Sequence, residues 1–455
     1  MKNRRNNPDV NMVDVFYERN NSRTRQTDNN DSNNKNNTIK VWGTALKVVL
    51  IIAALILMVA ILPAKLIKPA KSTSGDSVLI KTAPDAEPIE DDGSIPDESL
   101  WRENISPIEI EDKIYLAWDD PSNRNWTLTE MPPNVNVLAP VWFKLGLNET
   151  EDGIDFVNAD ESTTAFSYVQ TCHKNGVKVW GTVQCINYDL AEVIMTDMAV
   201  QQQLIDQILL WINSYNMDGI NIDFEKMNPK HKQLFNNFCA NLKAAMPEGM
   251  PLSACITVKL VSESAETNPW QAYDRGGLAE VIDYITVMTY GEHDASTKKP
   301  VASIDWIDLH IRRLLEEIPS EKLIMGIPFY GVDYRAEVVD EQTLSLNPIW
   351  KNSGHTATIF QLNLLLETGQ YLYSGTPIVL DYWINKGGWN AELGISDYSF
   401  VDTDGIQHTI WIDDENSIYQ KARLADDYNL AGVAIWKKNL GTESMFEAVF
   451  RAWQD

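Results

Sequence analysis

Asp218-Gly-Ile-Asn-Ile-Asp-Phe-Glu225 sets Asn221, Asp223 and Glu225 on one parity and Ile220, Ile222 and Phe224 on the other. Successive side chains of a strand point to opposite faces, so the segment reads as a strand with one polar and one apolar face. In a barrel of parallel strands the apolar face packs under the surrounding helices and the polar face enters the lumen. Two carboxylates and an amide aimed inward are costly unless they are hydrogen-bonded or used. A generic Asp-x-Glu string would be an ordinary strand ending in a solvated carboxylate. Glu225, however, falls at the carboxyl end of the strand, where barrel enzymes carry their chemistry.

Outward from this segment, residues 113–118, 135–142, 177–185, 219–224, 252–258, 284–290, 322–330 and 432–436 read as strands separated by helical patterns. That alternation specifies an α/β fold with parallel strands, and eight of them fit a closed (β/α)8 TIM barrel over residues 113–455. An excess of about one hundred residues separates the seventh strand from the eighth, far beyond ordinary loop length. Within it, Tyr398 to Ile412 reads as a hairpin turning at Asp404-Gly405, and Asn416-Ser-Ile as a helix start. A small α+β insertion over residues 331–428 is therefore expected.

Residues 1–40 are dominated by Asn, Arg, Asp and Ser, which cannot bury enough surface to repay ordering, and read as a disordered tail. Residues 41–64 form an apolar run with Lys47 as its only charge, read as one transmembrane helix. A cleaved signal is disfavoured by the long polar lead and by the lack of an Ala-x-Ala site. Residues 65–112, rich in Pro, Asp, Glu and Ser, read as an extended acidic linker.

The net charge of -26 disfavours polyanionic partners, so nucleic acid is excluded as a ligand class. Neutral glycan is compatible, and the 15 Trp residues suit it, although core packing is the first reading for any single Trp. Cys172, Cys185, Cys239 and Cys255 are scattered without metal-ligand spacing. No metal or cofactor is expected, and buried free thiols and a disulfide both stay open.

The octapeptide resembles the D-G-x-D-x-D-x-E signature of glycoside hydrolase family 18. The similarity extends to Val137-Leu-Ala-Pro-Val-Trp-Phe143, Val287-Met-Thr-Tyr290, Lys322-Leu-Ile-Met-Gly-Ile-Pro-Phe-Tyr-Gly331 and Gly432-Val-Ala-Ile-Trp436. Asn221 and the Phe-Glu ending resemble the branch containing spore cortex-lytic N-acetylglucosaminidases. The resemblance implies retaining, substrate-assisted hydrolysis of β-linked N-acetylglucosamine, with the substrate's acetamido oxygen as nucleophile. Glu225 would be the acid and then the base, its pKa raised by a like charge two residues away. Asp223 would hold the acetamido N–H and stabilise developing positive charge. Tyr290 would bond the acetamido oxygen, and Asp218 and Asn221 complete the motif. Trp436 would floor the sugar subsite, with Trp142, Tyr330 and Trp118 as further lining.

Two departures stand out. Asn221 replaces the family's middle Asp and removes a proton-sharing carboxylate pair, while Gly291 follows Tyr290 where related enzymes often carry Asp, a loss that Glu292 or Asp294 would have to compensate. The expected partner is an N-acetylglucosamine-containing polysaccharide, cell-wall peptidoglycan or a chitin-like oligosaccharide. The expected location is the cell membrane, single-pass through the N-terminal helix, with a monomeric catalytic domain outside. The alternative is a catalytically silent glycan-binding protein on the same fold; retention of both Asp223 and Glu225 argues against it.

Overall fold

The computed structural model describes residues 113–120, 131–147, 154–157, 162–259, 272–293, 298–337, 349–350, 354–373 and 375–454. The expected tail, membrane span and linker lie outside the described residues, among which no helix is long and apolar enough to cross a membrane.

The first strands are β1 (Ile114–Asp119), β2 (Val137–Pro140), β3 (Phe143–Leu147), β4 (Ile154–Val157), β5 (Lys178–Cys185), β6 (Gly219–Phe224), β7 (Leu252–Thr257), β8 (Tyr284–Met288) and β9 (Leu323–Pro328). The inserted strands are β10 (Gly331–Glu337), β11 (Ile349–Trp350), β12 (His355–Ala357), β13 (Gln370–Tyr373), β14 (Thr376–Asn390), β15 (Ile395–Asp402) and β16 (Ile406–Ile412), and β17 (Gly432–Trp436) follows. Eight of these, β1-β2-β5-β6-β7-β8-β9-β17, pair in parallel and close into a ring when β17 meets β1. The strand read over 135–142 is in fact two: β2 stops at Pro140, and β3 then rises beside β5 and carries β4 antiparallel on its edge.

The helices are α1 (Ser162–Lys174), α2 (Tyr188–Thr196), α3 (Met198–Tyr215), α4 (Lys232–Ala245), α5 (Arg275–Val281), α6 (Ile304–Leu314), α7 (Ile359–Thr368), α8 (Glu415–Asp427) and α9 (Glu443–Ala452). Local chemistry fixes several starts. Asp414 Oδ1 accepts the Asn416 and Ser417 N–H groups at 3.0 and 3.1 Å, while Ser417 Oγ accepts the Asp414 N–H at 2.8 Å. This reciprocal cap begins α8, the helix that leads back to β17.

Strand alternation divides the interior in two. Ile220, Ile222 and Phe224 face outward into the helix layer, where Phe224 stacks on Phe238 of α4 at 5.7 Å between centroids. A separate apolar cluster fills the lumen with Ile114, Trp118, Val137, Trp180, Ile324 and Ala434. Trp180 stacks on Tyr284 at 5.7 Å, crossing the lumen over Gly219, where an added Cβ would sit 2.6 Å from the indole. Glycine is required there by close approach.

The insertion forms an antiparallel sheet in the order β11-β10-β16-β15-β14-β13, with β12 on β10 and α7 against its core. At its centre His408 Nδ1 lies 2.8 Å from Asp333 Oδ2 and its Nε2 lies 3.5 Å from Asp402 Oδ2, all three side chains buried. Tyr334 Oη and Trp411 Nε1 donate to the carbonyls of Lys299 and Lys298 at 2.8 and 2.9 Å, and Ile304 N–H donates to Leu393 at 2.9 Å. These contacts seat the sheet on the segment between β8 and α6, at the carboxyl end of the barrel.

Two expected site residues lie elsewhere. Asp218 precedes β6 at its amino end, about 23 Å from Glu225 at roughly 3.3 Å per strand residue. Its Oδ2 accepts the Val179 N–H at 2.7 Å and lies 2.8 Å from His173 Nε2, so it braces β5 and α1. Trp142 is also misassigned. Val137, Ala139 and Val141 take the inward parity, which turns Trp142 outward, where at 2% exposure it packs edge-on to Phe143 and Tyr168. All four cysteines are free and buried. Replacement Asp218→Ala is expected to cost about 1.5 to 3 kcal/mol, the range for a hydrogen bond to a charged group. Urea unfolding should show that loss with turnover per folded molecule unchanged; lost turnover at full stability would return Asp218 to the site.

Candidate active site

The polar face of β6 enters a belt of short side chains contributed by its neighbours. Asn221, fully buried, donates through Nδ2 to Thr182 Oγ1 and toward Cys255 Sγ, both at 3.4 Å, and accepts from Ser253 Oγ at 3.0 Å. Ser253 Oγ in turn lies 3.1 Å from Thr286 Oγ1. Thr182, Asn221, Ser253 and Thr286 stand on consecutive strands, so the belt satisfies itself across β5 to β8 without charge.

Asp223 sits one step higher in the lumen and is 5% exposed. Its Oδ2 accepts the Gln184 Nε2–H at 2.9 Å, across the in-register pair Gln184 and Asp223 of β5 and β6. Its Oδ1 is buried with no hydrogen-bond partner among the described residues. Burial pushes the Asp223 carboxyl above its ordinary range, and hydrogen bonds from Gln184 and Cys255 oppose the rise.

Glu225 stands at the rim. Its N–H donates to the Cys185 carbonyl at 3.1 Å, extending the β5–β6 ladder past Phe224, whose carbonyl accepts Tyr273 Oη at 2.8 Å. The strand end is therefore held on both sides, and the Glu225 side chain is half-buried. Tyr290 and Tyr330, at the ends of β8 and β9, meet edge to face at 6.3 Å. Burial raises both hydroxyls first. Tyr330, Cys255, Asp223 and Glu225 add to the rise at Tyr290, as do Asp413 and Glu225 at Tyr330. Asp223, Glu225, Tyr290 and Tyr330 thus occupy one electrostatic neighbourhood. Trp436 is half-buried at the end of β17 and meets Trp118 edge to face at 5.7 Å. Trp118, buried beneath it, braces that indole rather than facing the opening.

Glu292 does not compensate for Gly291. Its carboxylate accepts the Ser303 N–H at 2.7 Å and the Lys299 ammonium at 2.9 Å, while Asp294 lies outside the described residues. Gly291 itself has φ +103°, a conformation an L-residue there would adopt only with strain.

Gln184, Cys255 and Asp413 were not singled out from the sequence. Gln184 was readable: Trp180, Thr182 and Gln184 alternate with Val179, Gly181 and Val183 just as the polar residues of β6 alternate with apolar ones. Asp413 was not, because its pairing with buried Lys421 and its approach to Tyr330 depend on how the insertion folds back. Among the described residues no group of three or more His, Cys, Asp or Glu converges as a metal site.

The arrangement suits acid–base chemistry beside a developing positive charge: a half-exposed carboxyl at a rim, and below it a carboxylate oxygen left open in a low-dielectric lumen. Comparison with known proteins agrees. The model of glycosyl hydrolases family 18 matches residues 144–440. The uncharacterised glycosylase YvbX of Bacillus subtilis is 26% identical over 299 residues, covering 64% of this chain and 78% of that protein. The cortical fragment-lytic enzyme of Bacillus anthracis is 23% identical over 253 residues, 55% of this chain, and the match spans only 53% of that relative's length. A solved chitinase from Chromobacterium violaceum superposes with TM-score 0.60 at 21% identity, covering 75% of this chain and 99% of its own, a likeness of fold. The chain belongs to glycosyl hydrolases family 18 and is a glycoside hydrolase with an eight-stranded parallel barrel.

Proposed function

We propose that this barrel hydrolyses β-linked N-acetylglucosamine glycans with retention, by substrate assistance, and that cell-wall peptidoglycan is its substrate, with chitin-like oligosaccharide as the alternative. The observation that carries the reading is Asp223 Oδ1, a buried carboxylate oxygen without a partner, two residues from Glu225 on one strand face. An acetamido N–H fits that oxygen. The relatives' names, a glycosylase and a cortical fragment-lytic enzyme, support the substrate class.

In this scheme Glu225 protonates the glycosidic oxygen as the bond to C1 breaks, and the acetamido carbonyl oxygen closes on C1. Asp223 accepts the acetamido N–H and balances the positive charge of the oxazolinium ring. Tyr290 donates to the acetamido oxygen, aligning it for attack. Glu225, now a carboxylate, takes a proton from the water that opens the ring and restores the acid. Trp436 supplies an apolar face under the sugar. Mass spectrometry of products from purified peptidoglycan and from chitin oligosaccharides tests the substrate: reducing-end N-acetylglucosamine from peptidoglycan is expected, and its absence from both polymers would remove the proposal.

Anchoring through residues 41–64, with the barrel outside, belongs to the same proposal. Protease added to wall-stripped cells is expected to remove the barrel and leave a small membrane fragment; full protection would overturn the orientation.

Glu225→Gln is expected to lower turnover by about 10²- to 10⁴-fold with the circular dichroism spectrum unchanged, because the amide keeps the shape but carries no acidic proton. Retention of most activity would exclude Glu225 as the acid. Asp223→Asn is expected to lower turnover by about 10²- to 10³-fold while stabilising the unliganded protein near neutral pH. The sign follows from burial. A carboxyl whose pKa is raised on folding binds its proton more tightly in the native state, so its ionised form costs stability at neutral pH and that cost vanishes below the ordinary carboxylate range. The gain in melting temperature should therefore shrink as pH falls; a variant less stable at pH 7 would contradict it.

A further inference from the structure

Asn221 does not replace the missing carboxylate as a partner for Asp223. Its amide hydrogens are engaged with Thr182 and Cys255, and its carbonyl with Ser253, one layer below. Along one strand face the next inward residue is about 6.6 Å away, whereas an in-register neighbour lies about 4.8 Å across. Gln184 occupies that nearer position, and it alone among the described side chains donates an N–H to Asp223. With Asp223 ionised its orientation is fixed chemically: a flipped amide would set two oxygens against each other.

We infer that Gln184 is the positioning residue for Asp223, substituting from the neighbouring strand for the carboxylate that Asn221 removes. By holding Oδ2, with the Cys255 thiol as a weaker second donor to the carboxyl, the amide leaves Oδ1 without a partner and fixes its direction through every step of the cycle. A shared-proton pair lets the carboxylate turn as protons move; an amide has no proton to exchange, so Asp223 stays in one setting. The inference rests on the role proposed for Asp223.

The groups facing Asp223 are few. Glu225 follows it on β6, Cys185 belongs to β5, Cys255 to β7, Tyr273 lies beyond β7 and Tyr290 beyond β8. Burial pushes Cys185 up to about 11 and holds Cys255, Tyr273 and Tyr290 well above their ordinary values, so all four are neutral near pH 7. The acidic limb of activity is therefore where a change at the Asp223 carboxyl should be read.

The test compares Gln184→Leu, which keeps volume and loses the donor, with Gln184→Glu. Leucine is expected to lower kcat by about 10- to 100-fold with KM changed less, since the interaction strengthens as charge develops. The acidic limb should move to higher pH, because the donor that favours ionised Asp223 is gone. Gln184→Glu should recover turnover at acidic pH, where its protonated carboxyl donates as the amide did, and lose it as pH rises. A merely structural role would reduce the folded fraction and leave the limb in place. Superimposable pH–rate curves with kcat within about twofold of wild type would overturn the inference, and Gln184→Glu decides alone where the leucine variant does not fold. Should Glu225→Gln abolish turnover while Gln184→Leu behaves as wild type, only this inference fails. Should the wild-type protein hydrolyse neither polymer, the proposed function fails instead. Carbon-13 titration of the Asp223 carboxyl then tests Gln184 directly, with a raised midpoint in Gln184→Leu expected and an unchanged one fatal.

Discussion

Closure of eight parallel strands into a ring turns every second side chain into a buried interior. A polar group placed there must find its partner within the ring or be left with an unmet requirement. In the layer of Asn221 the requirement is met by neutral donors and acceptors on four consecutive strands. One layer higher it is met on one oxygen of Asp223 by Gln184 and left unmet on the other. In the proposed reaction this open oxygen is the group that receives the substrate's acetamido N–H. Everything around it serves to keep it in place: Trp180 and Tyr284 fill the lumen below, Phe224 anchors the strand against α4, and the Glu225 N–H extends the ladder to the rim.

The same rule explains the insertion. A strand that leaves the barrel at Pro328 enters β10 almost at once, bringing Val332 and Tyr334 against Tyr290 and Tyr330. Asp413 and Lys421, an ion pair with no exposure, lie where the insertion returns toward the site. Such a pair contributes little net stability but is costly to break singly, so it fixes how the returning chain approaches Tyr330. The insertion and the barrel therefore meet beside Tyr290 and Tyr330.

Much of this was readable before any coordinates, because strand alternation is local. The parity of β6 assigns Asn221 and Asp223 to the lumen, and β5 carries the same signal for Gln184. What failed was non-local or depended on which end of a strand a residue occupies. Asp218 shares a motif with Glu225 yet stands at the far end of β6, where it joins the Val179 N–H to the His173 imidazole. Trp142, placed in the lining by resemblance, is sent outward by a break at Pro140 and the parity of Val141. The contacts of Asp413, and the commitment of Glu292 to the start of α6, arise only when distant segments meet.

The most direct measurement is the stereochemistry of the first product. Proton NMR of a β-linked N-acetylglucosamine oligosaccharide during the first minutes of turnover, before mutarotation equalises the anomers, reads it without reference to any variant. Attack by the acetamido oxygen followed by attack of water inverts C1 twice and releases the β anomer first. Initial release of the α anomer would mean that water attacks C1 directly, and the roles assigned to Asp223 and Glu225 would be wrong.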